Sequence, residues 1–510
     1  MGKGSKYRPG WSFPAAFLAA FFLAACTGGT PPPVAATDGP LPQAIFAAGY
    51  GGIAEKYIEP RTARDIALDG LHGLSDADPA LEIEASGDLL RLDRDDRPLR
   101  VGVAPTAQNL EGWASLSADF LVAALTNPAA GGERDSLMTA MFTRALETLD
   151  SYSRYAAPKA AVRQREKRKG FDGAGLYVQR FEDAFFITAV IPESPAALAG
   201  VRPSDEILEI DGAPVAGLDL EAVLDRLHGP VNSTLSLALR RRDTPAPIGI
   251  TLQRQHVYSP TVEYERLGAI AYFRLSSFNH DTAQSLARHI AKAEMEAGKN
   301  LRGLVLDLRD NPGGLMDQAI AVADLFLESG RIVSTRGRHP NSNQIYDAAA
   351  GDIVDGLPIV VLLNGKSASS AEIVAAALHD RRRAVVVGSR SYGKGSVQTI
   401  LPLPNQAEIT LTWSHLYRPN GQSLNEAGVA PDVCTANAKG KEEDMEGLLR
   451  AMAQPGGQGE TACPPLRTEN PLDLPLAKRL LGNAELYASF FRETPEEIAR
   501  AGGKMGEGTR

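Results

Sequence analysis

Cysteine is scarce in this chain. Three in 510 residues cannot build a dense disulfide framework. The eight histidines are scattered, and none shows metal-ligand spacing, so no zinc centre and no cofactor are expected. Basic excess is missing too. The formal net charge is −9, which argues against nucleic acid as a partner, since that role needs a basic face. The runs Arg240-Arg-Arg242 and Arg381-Arg-Arg383 read as solvated element ends. The apolar run Phe13–Ala25 is too short to cross a bilayer as a helix. With 44% apolar and 23% charged residues the composition is that of an ordinary globular protein, and the length predicts two to four domains.

What is present concentrates between residues 257 and 435. Leu301–Leu308, Leu357–Asn364 and Ala384–Gly388 are near-continuous apolar segments, the pattern of sheet strands covered on both faces. Helical spacing at Asp281–Gly298 and Asp317–Ser329 fills the intervals. Residues 44–74 and 135–165 also carry helical spacing, and Ala80–Val103 reads as a hairpin inserted between them. A stretch from about 168 to 256 reads as short strands with two helical turns. Helical segments such as Ala477–Leu486 return near the end. Ser369 follows one apolar strand at a turn of small residues that leads into a helix. Lys394, flanked by Gly393 and Gly395, follows another. A serine exposed at a strand-to-helix turn and a lysine with little steric cover suit a nucleophile and its base.

The wording of these segments carries a resemblance. Ser-Ala-Ser369-Ser-Ala-Glu372, Gly393-Lys-Gly-Ser-Val-Gln398, Asp307-Leu-Arg-Asp-Asn-Pro-Gly-Gly314, Tyr417-Arg-Pro-Asn-Gly421 and Gly428-Val-Ala-Pro-Asp-Val433 resemble the C-terminal processing peptidases, or tail-specific proteases. The family's usual Ser-Ala-Ser-Ala-Ser-Glu differs here by a swap of Ser370 and Ala371, which makes Ser370 the rival nucleophile. Leu149-Asp-Ser-Tyr-Ser-Arg-Tyr155 is similar to the family's segment closing its N-terminal helical region. Gly173-Ala-Gly-Leu-Tyr-Val178, Ser194-Pro-Ala-Ala-Leu-Ala-Gly-Val201 and Asp205-Glu-Ile-Leu-Glu-Ile-Asp-Gly212 resemble a PDZ domain. In such a domain the backbone N–H groups of Gly175, Leu176, Tyr177 and Val178 would hold a free C-terminal carboxylate while the adjoining strand edge pairs with the peptide.

The resemblance implies an α+β multidomain protein: an α/β protease core of crotonase-like ββα type with an inserted PDZ domain and helical N- and C-terminal regions. Its expected divisions are a signal peptide (1–25), a lipidated cysteine and tether (26–43) and a helical region with an insertion (44–165). A PDZ domain (166–256), the protease core (257–435) and a C-terminal helical region with a tail (436–510) follow. The implied activity is a serine endopeptidase acting on envelope or unfolded proteins through their C-terminal tails, resistant to inhibitors aimed at histidine triads. The implied triad is Ser369, Lys394 and Gln398.

Serine attacks only when something takes its proton, and lysine can do so only when neutral, so burial must lower its pKa. If residues 394–398 open a helix, Gln398 returns to the face of Lys394 and orients its amine. Ser370 N–H and either Gly313 or Gly314 N–H are the oxyanion donors, each worth on the order of 3 kcal/mol. Competing motifs are weaker. Gly388…Gly393-Lys394 lacks the Ser or Thr that a phosphate loop needs after its lysine, because Gly395 stands there. His379 and Asp380 would lie roughly 15 Å along the helix from Ser369. Nothing around His415 marks a base.

Lys3, Lys6 and Arg8 before Phe13–Ala25 read as a targeting signal, and Leu23-Ala-Ala-Cys26 resembles the lipobox of bacterial lipoproteins. That implies lipidation at Cys26 and a place in the bacterial envelope, lipid-anchored and facing the periplasm. Setting Cys26 aside leaves Cys434 and Cys463 as a candidate disulfide. Expected partners are proteins or peptides with free C-terminal tails, the membrane through the anchor, and a further copy or an adaptor protein. The alternative function is a non-catalytic PDZ scaffold or adaptor lipoprotein on an inactive protease fold. Where some relatives carry an arginine that couples the PDZ helix to the active site, this chain has His228 before Gly229.

Overall fold

The computed structural model describes residues 40–125, 131–349, 351–438, 445–449 and 463–491. The expected signal segment, Cys26 and most of the tether lie outside the described residues. No helix among the described residues is long and apolar enough to cross a membrane, and no His/Cys/Asp/Glu group among them could hold a metal.

Helices α1 (Pro42–Lys56) and α2 (Ala63–Ala77) are the first elements of the described residues. Thr62 starts α2 by accepting the Asp65 N–H while Asp65 accepts the Thr62 N–H, a reciprocal cap that satisfies two otherwise orphaned donors. The stretch expected to be a hairpin is instead a three-stranded antiparallel meander, β1 (Leu81–Ser86), β2 (Leu89–Arg94) and β3 (Arg97–Val103). Asp95 and Asp96 adopt positive φ and supply a second tight turn that spacing alone did not reveal. Helices α3 (Leu110–Ala124) and α4 (Gly131–Glu147) complete the region. Its core of Phe46, Tyr50, Trp113, Phe120 and Phe142 also takes in Leu401, Leu403, Ile409 and Leu411, so the helices dock on a strand pair that leads away from Lys394.

Strand β4 (Arg154–Ala156) and helix α5 (Pro158–Lys169) lead to a compact β module. Its strands are β5 (Phe171–Gly173), β6 (Leu176–Phe181) and β7 (Ala184–Val190), then, after helix α6 (Pro195–Leu198), β8 (Glu206–Ile210) and β9 (Ala213–Pro214). Helix α7 (Leu220–Leu227), β10 (Thr234–Arg240), β11 (Ile248–Gln253) and β12 (Gln255–Val257) close it. The sheet runs β11-β10-β8-β7-β6, which leaves β6 at the edge. Strand β12 returns to pair with β5.

A second sheet follows, ordered β13-β14-β15-β18-β19-β22. Antiparallel β13 (Val262–Leu267) and β14 (Ile270–Leu275) precede α8 (Thr282–Ala297), β15 (Gly303–Asp307) and α9 (Met316–Asp324). Strands β16 (Gly330–Arg336) and β17 (Gln344–Ala348) leave for another sheet before β18 (Ile359–Leu363), α10 (Ser370–Asp380) and β19 (Ala384–Gly388) resume this one. Every residue of β15, β18 and β19 is buried. Leu304, Leu306, Val361 and Val386 face α8, α9 and α10, whereas Val305, Val360, Leu362 and Val385 face the other way. That second face is covered by α11 (Asp473–Leu481) through Leu476 and Leu480. Full burial of such a side chain is worth about 2 kcal/mol.

The remaining sheet joins β17, β16, β21 (Glu408–Tyr417) and β20 (Ser396–Pro402), with β4 added to β21. Residues 396–398 are therefore strand, not the opening of a helix. Ser396 and Val397 pair with His415 and Ser414, and a bulge shifts the register before Gln398. Strand β22 (Val433–Cys434) edges the parallel sheet, and Cys434 is bonded to Cys463 across a Cα–Cα distance of 5.8 Å. The helix read over Ala477–Leu486 is two helices, α11 and α12 (Ala484–Ser489), separated at Gly482-Asn483, where Asn483 caps the second.

Candidate active site

Strand β18 ends in the turn Asn364–Ala368, and α10 begins at Ser370. Ser369 sits between them at φ 56° and ψ −113°, a sparsely populated conformation costing of order 1–3 kcal/mol for a residue with a side chain. The surroundings over-determine it. Ala368 N–H donates to Asn311 O at 2.9 Å, Tyr392 N–H to Ser367 O at 2.9 Å, and Ser367 Oγ to Leu308 O at 2.8 Å. Ser369 N–H donates to Glu372 Oε2 at 2.7 Å. The two serines differ sharply. Ser369 is half-buried at the wall of a cavity of about 530 Å³, whereas Ser370 is 1% exposed and its hydroxyl donates to Gly314 O at 3.0 Å.

Lys394 and Gln398 line the same cavity. The glycines beside Lys394 are required by close backbone approach. A Cβ on Gly395 would lie 2.1 Å from Asn425 N, and one on Gly393, at φ 86°, would lie 2.9 Å from the Glu426 carbonyl carbon. The Lys394 Nζ stands 4.7 Å from the centroid of the Tyr152 ring. Burial lowers the pKa of the amine, and the Arg154 guanidinium lowers it further, with Asp150 and Glu372 pulling the other way. Gln398 does not reach Lys394 by a helical turn. Its amide donates to Ser396 Oγ at 2.8 Å and Thr412 Oγ1 at 3.4 Å, and Thr412 donates to Asp150 at 3.2 Å.

Glu372 holds the two halves together. Its carboxylate, 0% exposed, accepts Ser369 N–H at 2.7 Å, Gly393 N–H at 2.7 Å, Lys394 N–H at 2.9 Å and Ser391 Oγ at 2.5 Å. Burial pushes its pKa up while these four donors favour the ionised form that can accept them all. The sequence alone gives Glu372 and the segment Leu149–Tyr155 no chemistry. The signal for Glu372 was its position three residues after Ser369, the spacing at which a side chain reaches back to a helix's first N–H. No spacing rule connects Asp150, Tyr152 and Arg154 to Lys394, because β4 brings them there through β21.

Of the proposed oxyanion groups, Gly313 N–H is committed to Asn311 Oδ1 at 2.8 Å. Gly313, at φ 100°, lies so close to the Ser369 turn that a Cβ would meet Ser369 Cβ at 2.9 Å. Gly314 follows it, held by Leu315 N–H to Phe278 O at 2.9 Å. Earlier residues of the same loop are structural: Asp307 and Arg309 form a buried ion pair that reaches Asp473 on α11 at 3.3 Å. His379 is structural as well. Burial disfavours its cation, but hydrogen bonds to Asp380 and Asp432 prevail and push the imidazole up to about 10, which leaves no free base. His415 lies on β21 opposite Ser396, with its buried Nδ1 unpartnered among the described residues.

Of the expected carboxylate loop, Gly175 immediately precedes β6 and Leu176, Tyr177 and Val178 open it. Gly175 is at φ 81°, and a Cβ there would lie 2.3 Å from Ser194 Cβ. Leu176 and Val178 point inward and Tyr177 outward, its hydroxyl donating to Ser259 at 2.9 Å. His228, the residue after α7, packs tilted against Phe171 with ring centroids 5.1 Å apart, and its Nδ1 lies 3.8 Å from Glu166 on α5.

Comparison with known proteins follows these elements. The family model described as peptidase family S41 matches residues 269–435, and a PDZ-domain model matches residues 186–241. A carboxy-terminal-processing protease of Bartonella bacilliformis is 37% identical over 358 residues, spanning 68% of this chain and 82% of that protein. A probable CtpA-like serine protease of Staphylococcus aureus is 32% identical over 290 residues, 56% of this chain and 57% of its own length. Among solved structures, a photosystem II D1 C-terminal processing protease aligns over 81% of this chain and 97% of its own at 24% identity, with a TM-score of 0.40.

Proposed function

This chain belongs to peptidase family S41, among the carboxy-terminal-processing proteases, and from that premise we propose that Ser369 is the nucleophile and Lys394 its general base. The chain is a serine-type peptidase with a PDZ domain. The observation that carries the residue assignment is the contrast at the turn: both serines line the cavity with Lys394, but Ser369 is partly exposed there while Ser370 is buried with its hydroxyl committed to Gly314 O.

Ser369 Oγ attacks the scissile carbonyl and passes its proton to the neutral Lys394 amine. Ser370 N–H and Gly314 N–H receive the negative charge that develops on the carbonyl oxygen, Gly313 N–H being engaged elsewhere. Lys394 then protonates the leaving amine, and an ester to Ser369 remains. Water, deprotonated by the same amine, releases the acid. Gln398 acts as an orienting group: its amide donates to Ser396 Oγ and to Thr412 Oγ1, and Thr412 donates in turn to the Asp150 carboxylate beside the Tyr152 turn. The PDZ edge at Gly175–Val178 takes the substrate's C-terminal carboxylate, so that tails feed to Ser369. The order β13-β14-α8 at the start of the core supports a crotonase-like ββα unit. A lipid anchor at Cys26 and a periplasmic location rest on the N-terminal residue pattern. A scaffold on an inactive fold has no observation in its favour.

The test is cleavage of an unstructured protein by wild type, Ser369→Ala and Ser370→Ala. Ser369→Ala is expected to leave the substrate intact and Ser370→Ala to retain turnover. Equal cleavage by wild type and Ser369→Ala would overturn the assignment.

A further inference from the structure

The catalytic cavity is one-sided in charge. Arg154, Lys167, Arg168 and Lys394 line it, and no carboxylate does. The carboxylates behind its wall are already committed. Glu372 accepts four donors at 2.5–2.9 Å, and Asp150 accepts Tyr152 N–H, Ser153 N–H, Ser153 Oγ and Thr412 Oγ1 at 2.6–3.2 Å. Glu408 is taken by Arg165 and Arg168 at 3.0 and 2.8 Å. Neither Lys167 nor Arg154 has an ion-pair partner among the described residues, and the Arg154 guanidinium donates to the Tyr152 carbonyl at 3.4 Å. Both side chains are exposed. Two cations therefore face the space where substrate must lie, without an internal counter-ion.

Their placement gives a direction. Lys167 stands on the last turn of α5, a helix with Lys159, Arg163, Arg165, Lys167, Arg168 and Lys169 against one acid, Glu166. That turn lines the cavity, and the chain runs on through β5 into Gly175, where the substrate's carboxylate is taken. The helix dipole accounts for cations at its C-terminus in general. It does not account for Arg154, which arrives from β4. A substrate tail stretched from Ser369 to the PDZ edge passes α5. The cavity also offers apolar contact through Met316, Ile373, Val397 and Leu416.

Building on the Ser369 peptidase reading, we propose that Lys167 and Arg154 make this enzyme select an acidic side chain just C-terminal to the scissile bond. The substrate class is thus an apolar tail bearing aspartate or glutamate within the first few residues after the cut. An acid there gains two unpaired cations, whereas a lysine there meets only like charge.

The experiment uses the full-length enzyme and quenched peptides that share an apolar residue before the cut and the same C-terminus. They differ only in Glu, Gln or Lys at the first three positions after the cut, and cut sites are read by mass spectrometry. At low ionic strength kcat/KM is expected to fall about three- to tenfold from Glu to Gln, further for Lys, and the preference should shrink as salt rises. Lys167→Glu should reverse the Glu:Lys ratio. Arg154→Gln should weaken the preference without reversing it, and in both variants a ratio measured on one enzyme is indifferent to the fraction folded. Cleavage that ignores the charge, or a preference that Lys167→Glu leaves intact, would overturn the proposal while leaving the peptidase reading standing. Absence of cleavage for every peptide together with equal turnover of unstructured protein by wild type and Ser369→Ala would instead remove the reading beneath it.

Discussion

Glu372 accepts the backbone N–H of Ser369 at 2.7 Å while the same carboxylate oxygen accepts that of Lys394 at 2.9 Å, so the proposed nucleophile and base hang from one buried group. Glutamine at 372 has nearly the same shape, but its amide nitrogen cannot accept: with the amide oxygen at the Oε2 position Gly393 N–H loses its partner, and with it at the Oε1 position both Ser369 N–H and Lys394 N–H do. An unsatisfied buried donor costs about 1–3 kcal/mol, and a misplacement of about 1 Å at a reacting group can cost 10²-fold in rate. Glu372→Gln is therefore expected to lower kcat by about two orders of magnitude with little change in KM, and to lower the melting temperature by several degrees. Steady-state kinetics and a thermal melt measure both. A variant with wild-type kcat would show that the shared anchor does not set the alignment.

Arg154 acts on the base by charge. Burial is the first cause that lowers the pKa of Lys394, and the Arg154 guanidinium is the second. Catalysis needs the neutral amine, so activity rises with pH as Lys394 loses its proton. Removing the guanidinium raises the Lys394 pKa, reduces the neutral fraction at pH 7, and moves the acidic limb of kcat/KM to higher pH. Arg154→Gln should show that shift on an uncharged peptide, and Arg154→Lys should restore most of the original profile. An unmoved limb in Arg154→Gln would mean that burial alone tunes the amine.

The core strands and the two catalytic segments were legible because their signals are local. An all-apolar run such as Ile359–Leu363 reads as a strand covered on both faces, and Gly395 after Lys394 rules out a phosphate loop by composition alone. The conformation at Gln398 escapes a local reading for the same reason. Four residues past a lysine suggests a helical face, but pairing with β21, a non-local partner, makes the segment a strand. Tyr152 and Arg154 were invisible as site residues because β4 brings them to Lys394 from more than two hundred positions away in the chain. The commitment of Gly313 to Asn311 depends on a side-chain rotamer, which sequence does not carry.

The Cys434–Cys463 bridge closes a loop of 29 residues. Constraining a loop of that size in the unfolded chain is worth about 3–4 kcal/mol on an entropic account. The segment after Cys463 also touches the catalytic turn, with Gly365 N–H donating to Leu466 O at 2.7 Å and Arg390 donating to Cys463 O at 3.0 Å. A reductant is therefore expected to lower the melting temperature by several degrees, with a smaller loss of activity at 25 °C. Paired melts with and without dithiothreitol, beside Cys463→Ala, measure this. Superimposable melts would show that the bridge adds no stability.

His228 closes α7 with its Nδ1 3.8 Å from Glu166 Oε1, and Glu166 lies on α5, whose last turn lines the catalytic cavity. Both side chains are about one-third exposed, at 34% and 32%, so any pair they form is partly screened. Arginine at 228 would place a permanent cation against Glu166 and fasten the end of the PDZ helix to α5. His228→Arg is expected to raise the basal rate of cleavage of an unstructured protein by about two- to fivefold, the range open to a pair of that exposure. Glu166→Gln in the same background should abolish the gain, whereas Glu166→Gln alone should change the rate little. This cycle separates the contact from a general effect of added charge. Initial rates for the four proteins at low and high salt give the answer. A gain that survives loss of Glu166 would place the coupling elsewhere, and no gain at all would show that position 228 does not couple α7 to the active site.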